Sequence, residues 1–160
     1  MAETSDESVR VTFERLAQQV RDELAAAGLP LVTPGLSPEL AVGAEVRADM
    51  WNHHFHGEEP EVVVSWKVSP QLRSNAMAGA RQGRGVTPAI RQSGEVQIAM
   101  AAAIIAILSA AGFTARDRDN DISPFDVQVL VGPEPGGQPS WAFPEEGLVS
   151  PCQPGSVAEA

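Results

Sequence analysis

The sequence has very little cysteine and, over one long stretch, no acid at all. Cys152 is the only cysteine among 160 residues, so no intramolecular disulfide can form, which fits a reducing compartment. From Val62 to Gly94, 33 residues contain no Asp or Glu but carry five cationic side chains. The rest of the chain holds six basic and 21 acidic residues, a charge of −15 within a formal total of −10. Charge segregated to this degree predicts a surface that meets a partner.

Signatures of catalysis, nucleotide binding and membrane insertion are missing too. No Gly-x-Ser-x-Gly elbow presents a nucleophile, and neither the Gly-Lys-Ser/Thr loop nor the Gly-x-Gly-x-x-Gly turn occurs after a strand. The acidic balance makes nucleic acid an unlikely partner, because duplex binding depends on attraction to phosphates. The apolar stretch Ile98–Phe113 is about one turn shorter than a typical membrane span. We therefore predict a non-enzymatic chain with no cofactor, in the cytoplasm of the producing cell and away from membranes.

The length favours one folded domain followed by a tail. Residues 1–132 alternate helical and strand patterns, whereas residues 133–160 have six prolines, four glycines and no periodicity. Trp141 and Phe143 are unusual in a purely solvating tail, so we predict that both contact a neighbour. The N-terminus is acidic where a signal peptide would be basic.

The first predicted element is an amphipathic helix. Its apolar residues recur three or four positions apart, which places them on one helical face. Thr4 and Glu7 have the spacing of a capping box, and Gly28 supplies the stop signal. The stripe consists of Val9, Phe13, Leu16, Val20 and Leu24.

Two hairpins and an alanine-rich helix complete the predicted domain. Alternation of apolar and polar residues predicts strands over 44–51 and 62–68, then over 113–119 and 125–131. Between the hairpins, residues 95–111 are apolar on nearly every side, which predicts a helix buried nearly all round. The predicted fold class is α+β: a mainly antiparallel four-stranded sheet covered by the amphipathic helix and this buried helix.

The basic stretch between the second strand and the buried helix is harder to interpret. Ser69 and Pro70 favour the start of a helix, but three glycines between positions 79 and 85 interrupt it. We predict an irregular basic loop over 70–94, acting as an arm that becomes ordered against an acidic neighbour. The alternative is that its arginines pair with acids of the same fold.

All three histidines fall in one short segment, His53, His54 and His56. On a strand, His54 and His56 would share a face, and imidazoles beside a carboxylate suit zinc or non-haem iron. The spacing matches no familiar metal signature, however, and no distant histidine or usable cysteine closes the site. A polar hairpin tip and a pH-responsive contact are the other interpretations. We predict no metal, with His54 and His56 as weak candidates.

The arrangement of elements resembles small virion proteins of tailed actinobacterial phages, of the head-to-tail connector and tail-terminator type. The resemblance rests on the amphipathic first helix, the hairpin 44–68, the excursion 70–93, the helix 95–111 and the final hairpin 113–131. It implies an α+β subunit that forms rings through extended loops between copies, located in the virion.

The leading hypothesis is therefore a structural subunit of a homo-oligomeric ring, whose partners are copies of itself and neighbouring structural proteins. One alternative is a metal-binding protein or small metal-dependent enzyme that uses the histidine cluster. Another is a monomeric adaptor or immunity-type binding module. The predicted contact residues are Trp51, Arg73, Arg81, Arg84, Arg91, Trp141 and Phe143.

Overall fold

The computed structural model describes residues 3–50, 60–83, 85–118, 124–133 and 138–142. Three helices and four strands lie in these ranges. In chain order they are α1 Glu3–Ala26, β1 Gly43–Asp49, β2 Glu61–Lys67, α2 Pro70–Arg81, α3 Pro88–Ala110, β3 Thr114–Asp117 and β4 Val127–Val131.

The four strands form one antiparallel sheet in the order β1-β2-β4-β3. Helices α1 and α3 pack against the sheet, and α2 packs on α3. This arrangement confirms the predicted α+β class, with an N-terminal helix and an alanine-rich helix on an antiparallel sheet. The two predicted hairpins are also present; β2 keeps its predicted length but begins one residue earlier, and the other three strands are shorter than their patterns by one to three residues.

The alternation of residues along the strands divides the sheet into two faces. Val46 lies opposite Val64, and Val62 lies opposite Val129, so valines from three strands meet in one layer. These valines pack with Leu24, Leu108 and their neighbours into a single core. The second face, called here the polar face, carries the intervening charged residues of β1 and β2, beginning with Glu45 and Arg47.

Helix α1 buries the predicted stripe along its C-terminal half, where Val20 and Leu24 are fully covered. The helix begins at Glu3, one residue before the predicted cap, so Thr4 lies inside it. Gly28 ends the segment with a positive φ of 82°, a conformation that glycine adopts without steric cost.

Helix α3 is longer and more exposed than its composition predicts. Its N-cap is Thr87, whose hydroxyl accepts a hydrogen bond from Ile90 N–H at 3.3 Å, and Pro88 takes the first position. Only Ala101, Ile104 and Leu108 are buried, whereas Ile98 remains 57% exposed. The prediction of a helix buried nearly all round is wrong, because among the described elements the sheet, α1 and α2 cover only part of its surface. By length and composition α3 is also the one described helix that could span a membrane.

The predicted irregular loop over 70–94 is also wrong. Its first half is α2, capped by the Ser69 hydroxyl, which accepts from Leu72 N–H at 3.3 Å. Its last residues are the first two turns of α3. The glycines did not prevent the helix because Gly79 is buried where α2 crosses Thr87, and Gly83 occupies the turn beyond the helix with a φ of 63°.

Candidate interaction surface

The basic stretch folds into a helical pair, called here the basic hairpin, that comprises α2, the connection 82–87 and the first half of α3. A Cβ on Gly79 would lie 2.7 Å from Thr87 Oγ1 and 2.8 Å from Thr87 Cγ2. The absence of that Cβ lets the end of α2 approach the start of α3 closely. The short connection then brings the last turn of α2 and the first turn of α3 to one end of the pair, the tip.

Arg73, at the other end of α2, is bound inside the fold. Its guanidinium donates to three backbone carbonyls: Pro38 O at 2.6 Å, Ala41 O at 2.5 Å and Val68 O at 2.8 Å. Two of these acceptors lie more than 30 residues earlier in the chain. We therefore assign Arg73 to holding the segment before β1, and leave it out of the surface that a partner would contact.

Arg81 and Arg91 lie at the tip of the basic hairpin and are both exposed. Arg81 is in the last turn of α2 and Arg91 in the first turn of α3. Neither guanidinium forms a hydrogen bond or ion pair with any described residue. The alternative that the basic stretch pairs with acids of the same fold therefore does not hold for these two arginines within the described ranges. Arg84, in the connection, lies outside the described residues.

Apolar side chains accompany these two charges. Met77 is one turn before Arg81, and the two share a face of α2. Arg91 and Ile98 lie seven positions apart on one face of α3, and Val86 in the connection is 70% exposed. Isolated exposed apolar residues are ordinary, but three on one helical pair, beside two cations without a partner among the described residues, form a candidate protein contact.

Three other described positive charges, Arg47, Lys67 and Arg118, are engaged within an ion-pair network on the polar face. Arg118, whose side chain is only 11% exposed, binds three carboxylates. Its guanidinium lies 3.2 Å from Asp49 Oδ2 and 3.8 Å from Asp126 Oδ2, and it also donates to Glu61. A single cation thus neutralises carboxylates from β1, β2 and the residue before β4.

Arg47 and Lys67 extend this network toward the other end of β2. Arg47 lies 3.3 Å from Asp126 Oδ2 and 3.5 Å from Glu45 Oε2, and Lys67 Nζ lies 3.0 Å from the same Glu45 oxygen. The Ser65 hydroxyl donates to Asp126 Oδ1 at 2.6 Å. No buried side-chain polar atom of the described residues lacks a partner.

A cavity of about 370 Å³ opens beside this network, between the end of β2, α3 and the segment before β4. Its polar lining includes Ser65 and Asp126, which bond to each other, and Lys67, which pairs with Glu45. Ser93 and Gln97 of α3 also line it and are joined by a hydrogen bond of 3.3 Å. These groups hold one another, and we assign them a structural role.

The tail contacts the domain at Ser140 and Trp141, which lie against helix α1. The buried carboxylate of Glu23 on α1 accepts hydrogen bonds from Ser140 N–H and Ser140 Oγ–H, both at 2.9 Å. This contact places Trp141 beside Asp22 and Ala26 of the same helix, with the indole 59% exposed. Trp141 thus belongs to a described surface on α1, and its contact with a neighbouring chain stays a prediction.

The remaining predicted residues lie outside the described part of the chain. These are Trp51, Phe143 and the histidine cluster at positions 53, 54 and 56. Within the described ranges no group of three or more metal-ligating side chains occurs. The weak metal candidates His54 and His56 therefore stay a prediction, since both lie outside the residues that this search covers.

Sequence reasoning missed the ion-pair network. Arg116 and Arg118 lie two positions apart in the predicted strand 113–119, yet only Arg116 is exposed, where it bonds to Gln128 at 2.9 Å. The available signal is the alternation of Glu45, Arg47 and Asp49, which places opposite charges along one face of a strand. The sequence does not show that Arg118, the residue after β3, comes to lie among them.

The sequence matches no protein-family model, no characterised protein and no solved structure. The class that fold and surface define is accordingly a structural one: a two-layer α+β domain with a basic, partly apolar helical hairpin on an acidic chain.

Proposed function

We propose that this protein is a non-enzymatic assembly subunit that associates with copies of itself through the basic hairpin. The observation that carries the proposal is the combination of Arg81 and Arg91, which have no described partner, with exposed Met77, Val86 and Ile98 on the same helical pair. Arginine and methionine are enriched at protein interfaces, and arginine is also common among the residues that contribute most of the binding energy.

The uneven distribution of charge, and not the net charge, supports self-association. The chain carries −10 overall, so a second copy offers an acidic surface to which a local basic patch is attracted. Leaving Arg81 and Arg91 without an ionic partner costs the free subunit little free energy, because both guanidiniums remain hydrated until an interface forms. A ring in a phage particle is the form of assembly that the architectural resemblance implies.

The test compares two charge reversals on exposed helix arginines, Arg81→Glu at the tip and Arg15→Glu on α1. Arg15 is a matched control because it too is exposed and forms no hydrogen bond or ion pair with any described residue. Sedimentation velocity at several concentrations measures the association of each variant. We expect Arg81→Glu to weaken association at least tenfold, and Arg15→Glu to leave it within about threefold of the parent.

Equal association of the parent and both variants would contradict the assignment of the hairpin. A strictly monomeric parent would favour the adaptor interpretation instead. Elemental analysis addresses the metal alternative: a stoichiometric ion that is lost when His54→Ala and His56→Ala are combined would overturn the non-enzymatic assignment.

A further inference from the structure

The segment before β1, residues 33–42, forms an ordered loop with an unusual amount of exposed apolar surface. This connector loop presents Leu36, Leu40 and Val42, all between 42% and 56% exposed. Connecting segments are normally polar where they face water, so three large apolar side chains on one loop of ten residues indicate a contact surface.

Several bonds fix the conformation of the connector loop. Leu36 N–H donates to Thr33 O at 3.3 Å and Leu40 N–H to Ser37 O at 2.9 Å, which closes two successive turns. Arg73 then ties the carbonyls of Pro38 and Ala41 to α2. A loop held in this way loses little conformational entropy when a partner binds, which favours affinity.

The loop also carries one anionic group. Glu39 is exposed, its carboxylate accepts from the Ser37 hydroxyl, and no cation of the described residues forms an ion pair with it. The Ser37 hydroxyl, the backbone N–H of Glu39 and the charge of Arg73 together hold the pKa of this carboxyl below its usual value. Glu39 is therefore anionic at neutral pH, beside Leu36 and Leu40.

The connector loop and the tip of the basic hairpin lie at opposite ends of α2. Arg73 holds the loop at the end of the first turn of α2, whereas Arg81 ends the helix. At 1.5 Å per residue, about 12 Å of helix separates the two arginines. The anionic apolar loop and the cationic apolar tip are thus complementary in charge but kept apart within one subunit.

We infer that the connector loop of one subunit is the surface that receives the basic tip of the next, with Glu39 opposite Arg81 and the exposed leucines against Met77 and Val86. Such a contact joins two different surfaces, so it is heterologous, and repeated rotation about one axis closes it into a ring. This inference rests on the proposed self-association and identifies the second half of that interface.

The experiment uses Glu39→Arg and Arg81→Glu in the full-length chain, alone and mixed in equal amounts, with sedimentation velocity as the readout. Each variant alone places like charges across the contact, and we expect association to fall at least tenfold. In the mixture each contact again pairs opposite charges, so association should recover to within about threefold of the parent. Circular dichroism and thermal melting check that both variants fold, since neither side chain is buried.

Two outcomes would overturn the inference. Unchanged association of Glu39→Arg, with Arg81→Glu still weakened, would remove the loop from the interface and leave the proposed function standing. Failure of the mixture to recover would show that the two charges do not meet. A parent protein that never associates would instead contradict the proposed function itself, so the two failures are distinguishable.

Discussion

Arg73 and Arg118 are the residues whose positive charges are most fully used inside the fold. Arg73 binds three carbonyls of the backbone, and Arg118 binds three carboxylates. Arg81 lies on the same helix as Arg73, yet its side chain is exposed to solvent. Composition therefore does not identify which arginines are available to a partner; the acceptors around each side chain do.

Replacing Arg73 with methionine should destabilise the domain by about 2 kcal/mol or more. The change keeps the aliphatic stem but removes every donor, and hydrogen bonds from charged groups contribute about 1.5–3 kcal/mol. Urea unfolding monitored by circular dichroism measures the loss. The control, Arg81→Met, should cost less than about 0.5 kcal/mol because that side chain has no described bond. Equal costs would contradict the assignment of Arg73 to the connector loop.

Removing Arg118 should cost more than removing Arg116, its neighbour on β3. Arg118→Leu leaves Asp49, Glu61 and Asp126 close together without their shared cation, and breaking a largely buried ion pair costs about 3–5 kcal/mol. Arg116→Leu removes one exposed bond to Gln128 and should cost at most about 1 kcal/mol. The measurement is the midpoint of chemical unfolding; a smaller shift for Arg118→Leu would contradict the network.

Among the elements, the α2–α3 pair depends on one close approach. Gly79 is buried against Thr87, and that contact positions the tip where Arg81 and Arg91 lie. The cap signal at Ser69–Pro70 is recognisable in the sequence because capping is local chemistry. The prediction that the glycines between positions 79 and 85 interrupt the helix is wrong because the sequence does not distinguish a glycine that ends a helix from one that lets a neighbouring element approach closely.

Two glycine-to-alanine changes separate these roles. Gly79→Ala should destabilise by about 1–3 kcal/mol, because its Cβ would overlap Thr87 and overpacking outweighs the gain in helix propensity. Gly94→Ala in α3 should stabilise by about 0.5–1 kcal/mol, since its Cβ would come no closer than 4.0 Å to Phe125. Thermal unfolding measures both. Stabilisation by Gly79→Ala would show that the two helices do not pack as described.

The edge of the sheet at β1 illustrates a feature that the sequence could not reveal. Ala44 N–H donates to Pro30 O at 2.8 Å, and the Arg21 guanidinium donates to Val46 O at 2.8 Å. Protein groups thus occupy positions that a further strand would use. Neither partner is predictable from spacing, because both come from segments more than ten residues away that return to the edge only after folding.

Across the whole molecule, the fold class and the elements other than α2 followed from periodicity, whereas the surface did not. Alternation placed the valines of β2 and β4, and the stripe of α1 placed Val20 and Leu24. The exposure of Ile98 could not be predicted from its hydrophobicity. A hydrophobic side chain favours burial, but the sequence does not show how many elements pack around its helix. The acid-free stretch Val62–Gly94 still contains the candidate contact surface. Within it, Arg73 binds backbone carbonyls of the fold, whereas Arg81 and Arg91 are exposed and have no partner among the described residues.

The central claim is that this acidic chain associates with itself through a basic hairpin, and the mass of the unmodified protein tests it most directly. Light scattering across a range of protein and salt concentrations should give a mass well above the 16.9 kDa of one chain. That mass should fall as added salt shortens the Debye length from about 10 Å to about 3 Å and so weakens the attraction between opposite charges. A constant mass of one chain at every concentration would contradict the account.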